Sequence, residues 1–81
     1  MTTTLTTNPT TNTADILAMA RQDIHQAVGA DDYRRRRQYA LSARDNAATA
    51  LLDPSSTRRE REYAEYYLAD AEGIIANTDQ I

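Results

Sequence analysis

The 81-residue chain contains no cysteine, tryptophan, phenylalanine or lysine, and it has only one histidine and two glycines. Without cysteine it can form neither a disulfide nor a reactive thiolate, and His25 alone cannot supply the several His or Cys ligands of a usual zinc site. Two glycines are too few for a glycine-rich phosphate loop. Ser42, Ser55 and Ser56 have no base near them in the sequence. We therefore expect no metal site, no cofactor and no enzymatic activity.

The chain also lacks long apolar runs and an excess of positive charge. No segment approaches the length of a membrane span, and the start of the chain lacks the basic and apolar regions of a secretory signal, so we expect a cytoplasmic protein that does not bind a membrane. A net charge of −3 argues against a general polyanion binder, which is usually basic. A single domain of this length has a thin core. Oligomerisation is the remaining common way to enlarge that core.

Apolar residues recur at helical spacing in three segments that follow a threonine-rich start. Residues 1–12 contain few apolar side chains, and we expect them to be a disordered tail. Residues 13–81 should form one all-α domain. It is either a small antiparallel three-helix bundle or an array of helical hairpins, because the connections are short. The predicted helices span about Thr13–Val28, about Asp32–Leu52, and from between Pro54 and Arg58 to about Asn77.

Local sequence signals predict where these helices begin and end. Asn12 or Thr13 can cap the first helix, and Gly29 is expected to end it in the left-handed conformation. Asp31 is the expected cap of the second helix. The segment from Thr57 to Glu60 has the spacing of a capping box at the start of the third helix.

The apolar face of each helix is predicted to form the core. The face of the second helix is broad, and much of it is alanine, which lets neighbouring helices approach closely. The members of the three faces are Ile16, Leu17, Ala20, Ile24, Ala27 and Val28 in the first helix, Tyr33, Ala40, Leu41, Ala43, Ala47, Ala48, Leu51 and Leu52 in the second, and Tyr63, Ala64, Tyr67, Leu68, Ala71, Ile74 and Ile75 in the third.

Four consecutive arginines, Arg34 to Arg37, open the second helix, although the N-terminal end of a helix favours acids. Because successive helical residues lie about 100° apart, Arg35 should point to solvent and Arg34 should lie at a border. Arg36, Arg37 and, two turns further on, Arg44 should fall inside the apolar arc. These cations are therefore either offset locally or available to a partner.

Two interpretations of the arginine run remain open. In the first, it is a solvated helix start, in which Asp31 and Asp32 stand four residues before Arg35 and Arg36 and each pair contributes about 0.2–0.5 kcal/mol. An inter-helix ion pair belongs to the same interpretation.

The expected ion pair joins Arg37 to Asp23, because the two positions lie level if the first two helices fold back about Ala30.

In the second interpretation, the run is part of a binding stripe. Arg37 and Arg44 are seven residues apart and project along one line of the helix. Their guanidinium groups, next to Tyr33 and Tyr39, offer bidentate hydrogen bonds and stacking to a carboxylate or phosphate partner.

A second arginine cluster opens the third helix, where Arg58 and Arg61 each precede a glutamate by four residues. Tyr66 points away from the apolar stripe, and Tyr39 lies at the edge of its own stripe. Both are interface candidates, because exposed tyrosine is enriched at interfaces. The complete set of candidate partner-binding residues is Arg34, Arg35, Arg36, Arg37, Tyr39, Arg44, Arg58, Arg59 and Tyr66.

Two stretches resemble parts of known helical motifs. The second helix, its turn and the arginine-rich start at Thr57 resemble a helix-turn-helix, which implies DNA contacts from that start, although Glu60 and Glu62 would then face phosphates. The segment from Ala43 to Tyr67 resembles the junction of two tetratricopeptide-type hairpins, which implies peptide binding. It departs from that pattern at Ala47, where an aromatic residue is preferred.

The sequence thus favours a non-catalytic, small helical protein-interaction module. Such an adaptor or regulatory accessory protein would self-associate or dock on a protein partner through its second and third helices. The alternative is a nucleic-acid-associated protein that uses the arginine clusters at the starts of these two helices.

Overall fold

The computed structural model describes residues 12–79, which form three α-helices: α1 (Thr13–Gly29), α2 (Tyr33–Leu52) and α3 (Arg58–Asp79). Each helix contacts both of the others, so the predicted all-α fold is confirmed in its three-helix-bundle form. The expected disordered tail lies outside the described residues, apart from Asn12. No helix within the described range is long and apolar enough to cross a membrane.

The core consists of three layers, and each layer takes one residue from each helix. Every layer combines one large aliphatic side chain with two alanines, so the helix axes can approach closely. Within residues 12–79, no side chain larger than alanine is completely buried, as expected for a domain of this size. The layers are Leu17 with Ala50 and Ala64, Ile24 with Ala43 and Ala71, and Ile75 with Ala27 and Ala40.

The buried residues of α1 and α2 form narrow seams with alternating three- and four-residue spacing, as in coiled coils. Four predicted core members are therefore exposed, because the closely packed alanines cover only the line between the helices. Val28, Tyr33, Leu52 and Tyr63 are 68%, 47%, 79% and 46% exposed, and their assignment to the core was wrong. The seams are Thr13, Leu17, Ala20, Ile24 and Ala27 in α1, and Ala40, Ala43, Ala47 and Ala50 in α2.

The starts of α1 and α3 agree with the sequence signals. The Asn12 side chain accepts a hydrogen bond from the backbone N–H of Asp15 at 2.9 Å. At the start of α3, the N–H of Glu60 donates to Thr57 Oγ1 at 3.1 Å, and the N–H of Thr57 donates to Glu60 Oε1 at 2.9 Å. The predicted capping box is therefore confirmed.

The connection between α1 and α2 differs from the prediction in two ways. Asp32 rather than Asp31 caps α2, because its side chain accepts from the N–H of Arg34 at 2.8 Å. Gly29 is the last residue of α1 and does not adopt the left-handed conformation. The chain leaves α1 through Ala30, whose backbone is extended at φ −75° and ψ 137°.

The connection between α2 and α3 is held to the start of α1 by Asp53. Thr13 Oγ1 donates to Asp53 Oδ2 at 2.7 Å, while Oδ1 accepts from the N–H and the hydroxyl of Ser55 at 2.9 and 2.8 Å. These hydrogen bonds, that of Thr13 foremost, hold the pKa of the Asp53 carboxyl below its ordinary value. The buried Ser56 hydroxyl donates to the carbonyl of Ala50.

Candidate interaction surface

The four arginines at the start of α2 divide into two pairs. Arg34 and Arg35 are exposed, whereas Arg36 and Arg37 are half-buried. This is the division that the helical spacing predicted. The inward pair and the outward pair therefore have different surroundings.

Arg36 closes the C-terminal end of α1. Its Nη2 donates to the carbonyl of Ala30 at 2.7 Å, and its Nε donates to the carbonyl of Ala27 at 3.3 Å. The last turn of α1 has no basic residue of its own, so Arg36 supplies the positive charge that a helix C-terminus favours. The guanidinium thus binds backbone carbonyls and not the carboxylate of Asp32, which caps α2 instead.

Arg37 is directed to the C-terminal end of α3. Its Nη1 forms an ion pair with Asp79 and donates a hydrogen bond to Thr78 Oγ1 at 3.3 Å. Thr78 is buried and its hydroxyl in turn donates to the carbonyl of Ile75 at 2.8 Å. Arg37 therefore connects the start of α2 to the last described turn of α3.

The predicted ion pair between Arg37 and Asp23 was wrong. Asp23 Oδ2 instead accepts a hydrogen bond from Ser42 Oγ at 2.6 Å. The physical reason is the register, because the core places Ala27 level with Ala40. The two helices therefore fold back later in the chain than assumed, and position 37 lies past the end of α1.

Tyr39 and Arg44, two other predicted partner-binding residues, lie further along α2. Tyr39 is half-buried and packs against the layer that contains Ile75. Arg44 is half-buried, and its Nε lies 3.7 Å from Asp45 Oδ1. The structure therefore directs Arg37 towards the end of α3 and leaves Arg44 beside an acid on its own helix.

The arginines of α3 lie on the outer surface of the bundle. Arg58 Nε is 3.6 Å from Glu62 Oε2, which confirms the predicted pair. Arg61 Nη1 donates to the carbonyl of Ser56 at 2.6 Å, so it helps to close the preceding loop. Arg59 is exposed and forms no ion pair within residues 12–79.

Arg59 lines a shallow groove of about 390 Å³ together with Glu62, Tyr63 and Tyr66. We call these four residues the α3 tyrosine surface. Tyr66 is 65% exposed, which agrees with its predicted outward direction, and Tyr63 is 46% exposed. Sequence reasoning assigned Tyr63 to the core and missed it here. The spacing of Arg59, Tyr63 and Tyr66 by four and three residues already placed the three on one helical face.

The α3 tyrosine surface is attached to the core through Tyr67. This half-buried residue packs against the layers that contain Leu17 and Ile24. Its ring centroid lies 6.2 Å from that of Tyr63 and 6.3 Å from that of Tyr66, with interplanar angles of 20° and 23°. The half-buried ring of Tyr67 thus stacks on both exposed rings, those of Tyr63 and Tyr66. Rings held in this way lose little conformational freedom when a partner binds.

Two smaller depressions lie on α1, one of them between α1 and α2. One of about 300 Å³ lies between α1 and α2 beside Met19, and two of its polar side chains, Ser42 and Asn46, already donate hydrogen bonds to a third, Asp23. The other lies on α1 beside His25, whose side chain is exposed.

Searches against protein-family models, characterised proteins and solved structures found no match to this chain.

Proposed function

We propose that the protein is a non-catalytic helical interaction module that binds a protein partner through the α3 tyrosine surface. The observation that carries the proposal is the pair of exposed rings, Tyr63 and Tyr66, held beside the half-buried Tyr67. Tyrosine and arginine are enriched among the residues that dominate the binding energy of protein interfaces. Arg59 and Glu62 at the border of the rings add charges of both signs, which give such an interface its specificity.

The contacts of the arginines favour a protein over a nucleic acid. Arg36 and Arg37 bind helix ends, and Arg61 binds a loop carbonyl. A phosphate would have to compete with these contacts. The net charge of −3 also repels a polyanion.

Nucleic-acid binding is the second candidate function, and the exposure of Arg34 and Arg35 favours it. If these residues contact phosphates, fluorescence anisotropy should show micromolar binding that weakens steeply with salt, because phosphate contacts release counterions. The variant Arg34→Gln/Arg35→Gln should then flatten the salt dependence. We expect no such binding at moderate salt.

Site-specific photo-crosslinking in the native host tests the proposed protein partner. A photoreactive p-benzoylphenylalanine in place of Tyr66 should yield protein adducts, and the same probe in place of Arg35 should not. Adding Arg59→Gln should diminish the adducts from position 66, whereas Arg34→Gln should leave them unchanged. Equal yields of adduct from positions 35 and 66, or no adduct from position 66, would show that the α3 tyrosine surface is not the binding site.

A further inference from the structure

We infer that the partner of the α3 tyrosine surface is a second copy of this chain, bound so that the two α3 helices run antiparallel about a two-fold axis between Tyr63 and Tyr66. This inference rests on the proposed function and names its partner.

The outer face of α3 carries a stripe that is symmetric about its own centre. Arg59, Tyr63, Tyr66 and Asp70 are spaced by four, three and four residues, which places them along one side of the helix. All four are exposed. Reversing the direction of the helix leaves this spacing unchanged, as an interface between identical antiparallel helices requires.

The charges at the ends of the stripe are opposite. In an isologous interface, residue i of one copy meets residue j of the other, and j meets i. With the axis between positions 63 and 66, Arg59 of each copy meets Asp70 of the other copy. Neither residue forms an ion pair within residues 12–79. A parallel arrangement would instead set each arginine against an arginine, so the charges select the antiparallel orientation.

The centre of the stripe is aromatic. The same axis brings Tyr63 of each copy against Tyr66 of the other, so that two pairs of rings are buried between the helices. Aromatic pairs in offset or edge-to-face contact attract each other beyond the area they bury. Charged ends around an apolar centre correspond to the rim and core of a typical interface.

The core supplies an independent reason for association. Each layer holds only one buried large aliphatic side chain, and these three, Leu17, Ile24 and Ile75, remain 8–9% exposed. Small domains without disulfides or metals commonly gain stability by oligomerisation. The rings of Tyr63 and Tyr66 are two of the large exposed apolar groups, and a second copy bound here would remove them from water.

Charge reversal followed by mixing tests the inference with this chain alone. Wild-type protein should sediment as a dimer at micromolar concentration. Arg59→Glu sets glutamate against Asp70 at both ends, and Asp70→Arg sets arginine against Arg59, so each variant should raise the dimer dissociation constant by at least about tenfold. An equimolar mixture of the two variants should form a heterodimer with restored affinity, because both ends then pair opposite charges.

Two controls keep the result interpretable. The double variant Arg59→Glu/Asp70→Arg should dimerise like the wild type, and Arg35→Glu on α2 should leave dimerisation unchanged. Circular dichroism of every variant should report the same helix content, since all the altered side chains are exposed. Unfolded variants could not recover dimer affinity when they are mixed, so recovery would show that both variants are folded.

The inference is overturned if the wild type sediments as a monomer throughout the micromolar range, or if mixing the variants restores nothing. A monomer whose position 66 still crosslinks to a different protein would leave the proposed function standing without self-association. If position 66 gives no adduct and mixing the two variants restores no dimer, both the self-association and the proposed function are wrong.

Discussion

The two arginine clusters of this chain stand at the starts of two helices and have different environments. At the start of α2, Arg36 and Arg37 reach the C-terminal ends of α1 and α3. At the start of α3, Arg59 lies exposed beside the rings of Tyr63 and Tyr66. The antiparallel order explains the difference, because it brings two carbonyl-rich helix ends beside α2. The arginines that meet neighbouring helix ends, Arg36 and Arg37, are therefore half-buried and bonded, whereas Arg59 stays exposed.

The largest effect should come from Arg36. Replacing it by alanine leaves the carbonyls of Ala27 and Ala30 without their charged donor, and hydrogen bonds to charged groups contribute about 1.5–3 kcal/mol. We expect the free energy of unfolding, measured in urea, to fall by about that amount. Arg35→Ala is the matched control on the same turn and should change stability by no more than about 0.5 kcal/mol. Equal losses of unfolding free energy in the two variants would contradict the distinction between inward and outward arginines.

A smaller effect should come from Arg37. Its side chain is 38% exposed and that of Asp79 is 57% exposed, and exposed ion pairs contribute about 0.2–1 kcal/mol. A double-mutant cycle with Arg37→Gln and Asp79→Asn should give a coupling energy in this range that decreases with added salt.

The corresponding cycle between Arg37 and Asp23 is the control and should give no coupling. Coupling to Asp23 would show that the register of α1 and α2 differs from the one described.

The opposite end of the bundle offers a second comparison, because there a carboxylate, Asp53, links the α2–α3 connection to the start of α1. The pKa of Asp53 is lowered from its ordinary value of 3.8, so its contribution to stability is present above that value and is lost as pH falls through the lowered folded-state pKa. The difference in unfolding free energy between wild type and Asp53→Asn should therefore shrink below about pH 4. A difference that stays constant down to about pH 2 would contradict the hydrogen-bonded carboxylate.

Local signals in the sequence predicted much of the fold. The Asn12 cap and the capping box from Thr57 to Glu60 act over a few residues, and both are found as expected, as is the end of α2 at Leu52. The helical angle between successive residues also predicted which arginines turn inwards. These features depend on the backbone within one helix and need no knowledge of its neighbours.

Features that depend on how the helices meet were predicted less well. Apolar periodicity alone assigned Tyr63 and Leu52 to the core, because it cannot show how closely alanine seams bring the helices together. The partner of Arg37 was wrong for a related reason, since the register between α1 and α2 is set by packing of Ala27 and Ala40 and not by the turn between the helices. The α3 tyrosine surface could not be predicted for the same reason, because one of its rings, Tyr63, was assigned to the core.

The most direct test of the account is a dilution series followed by amide chemical shifts in NMR spectra. If α3 carries the interaction and the start of α2 is structural, lowering the protein concentration through the dimer dissociation constant should shift the amides of residues 59–70. The amides of residues 33–37 should stay unchanged. Concentration-dependent shifts centred on the α2 arginines, or none anywhere in the chain, would contradict the account.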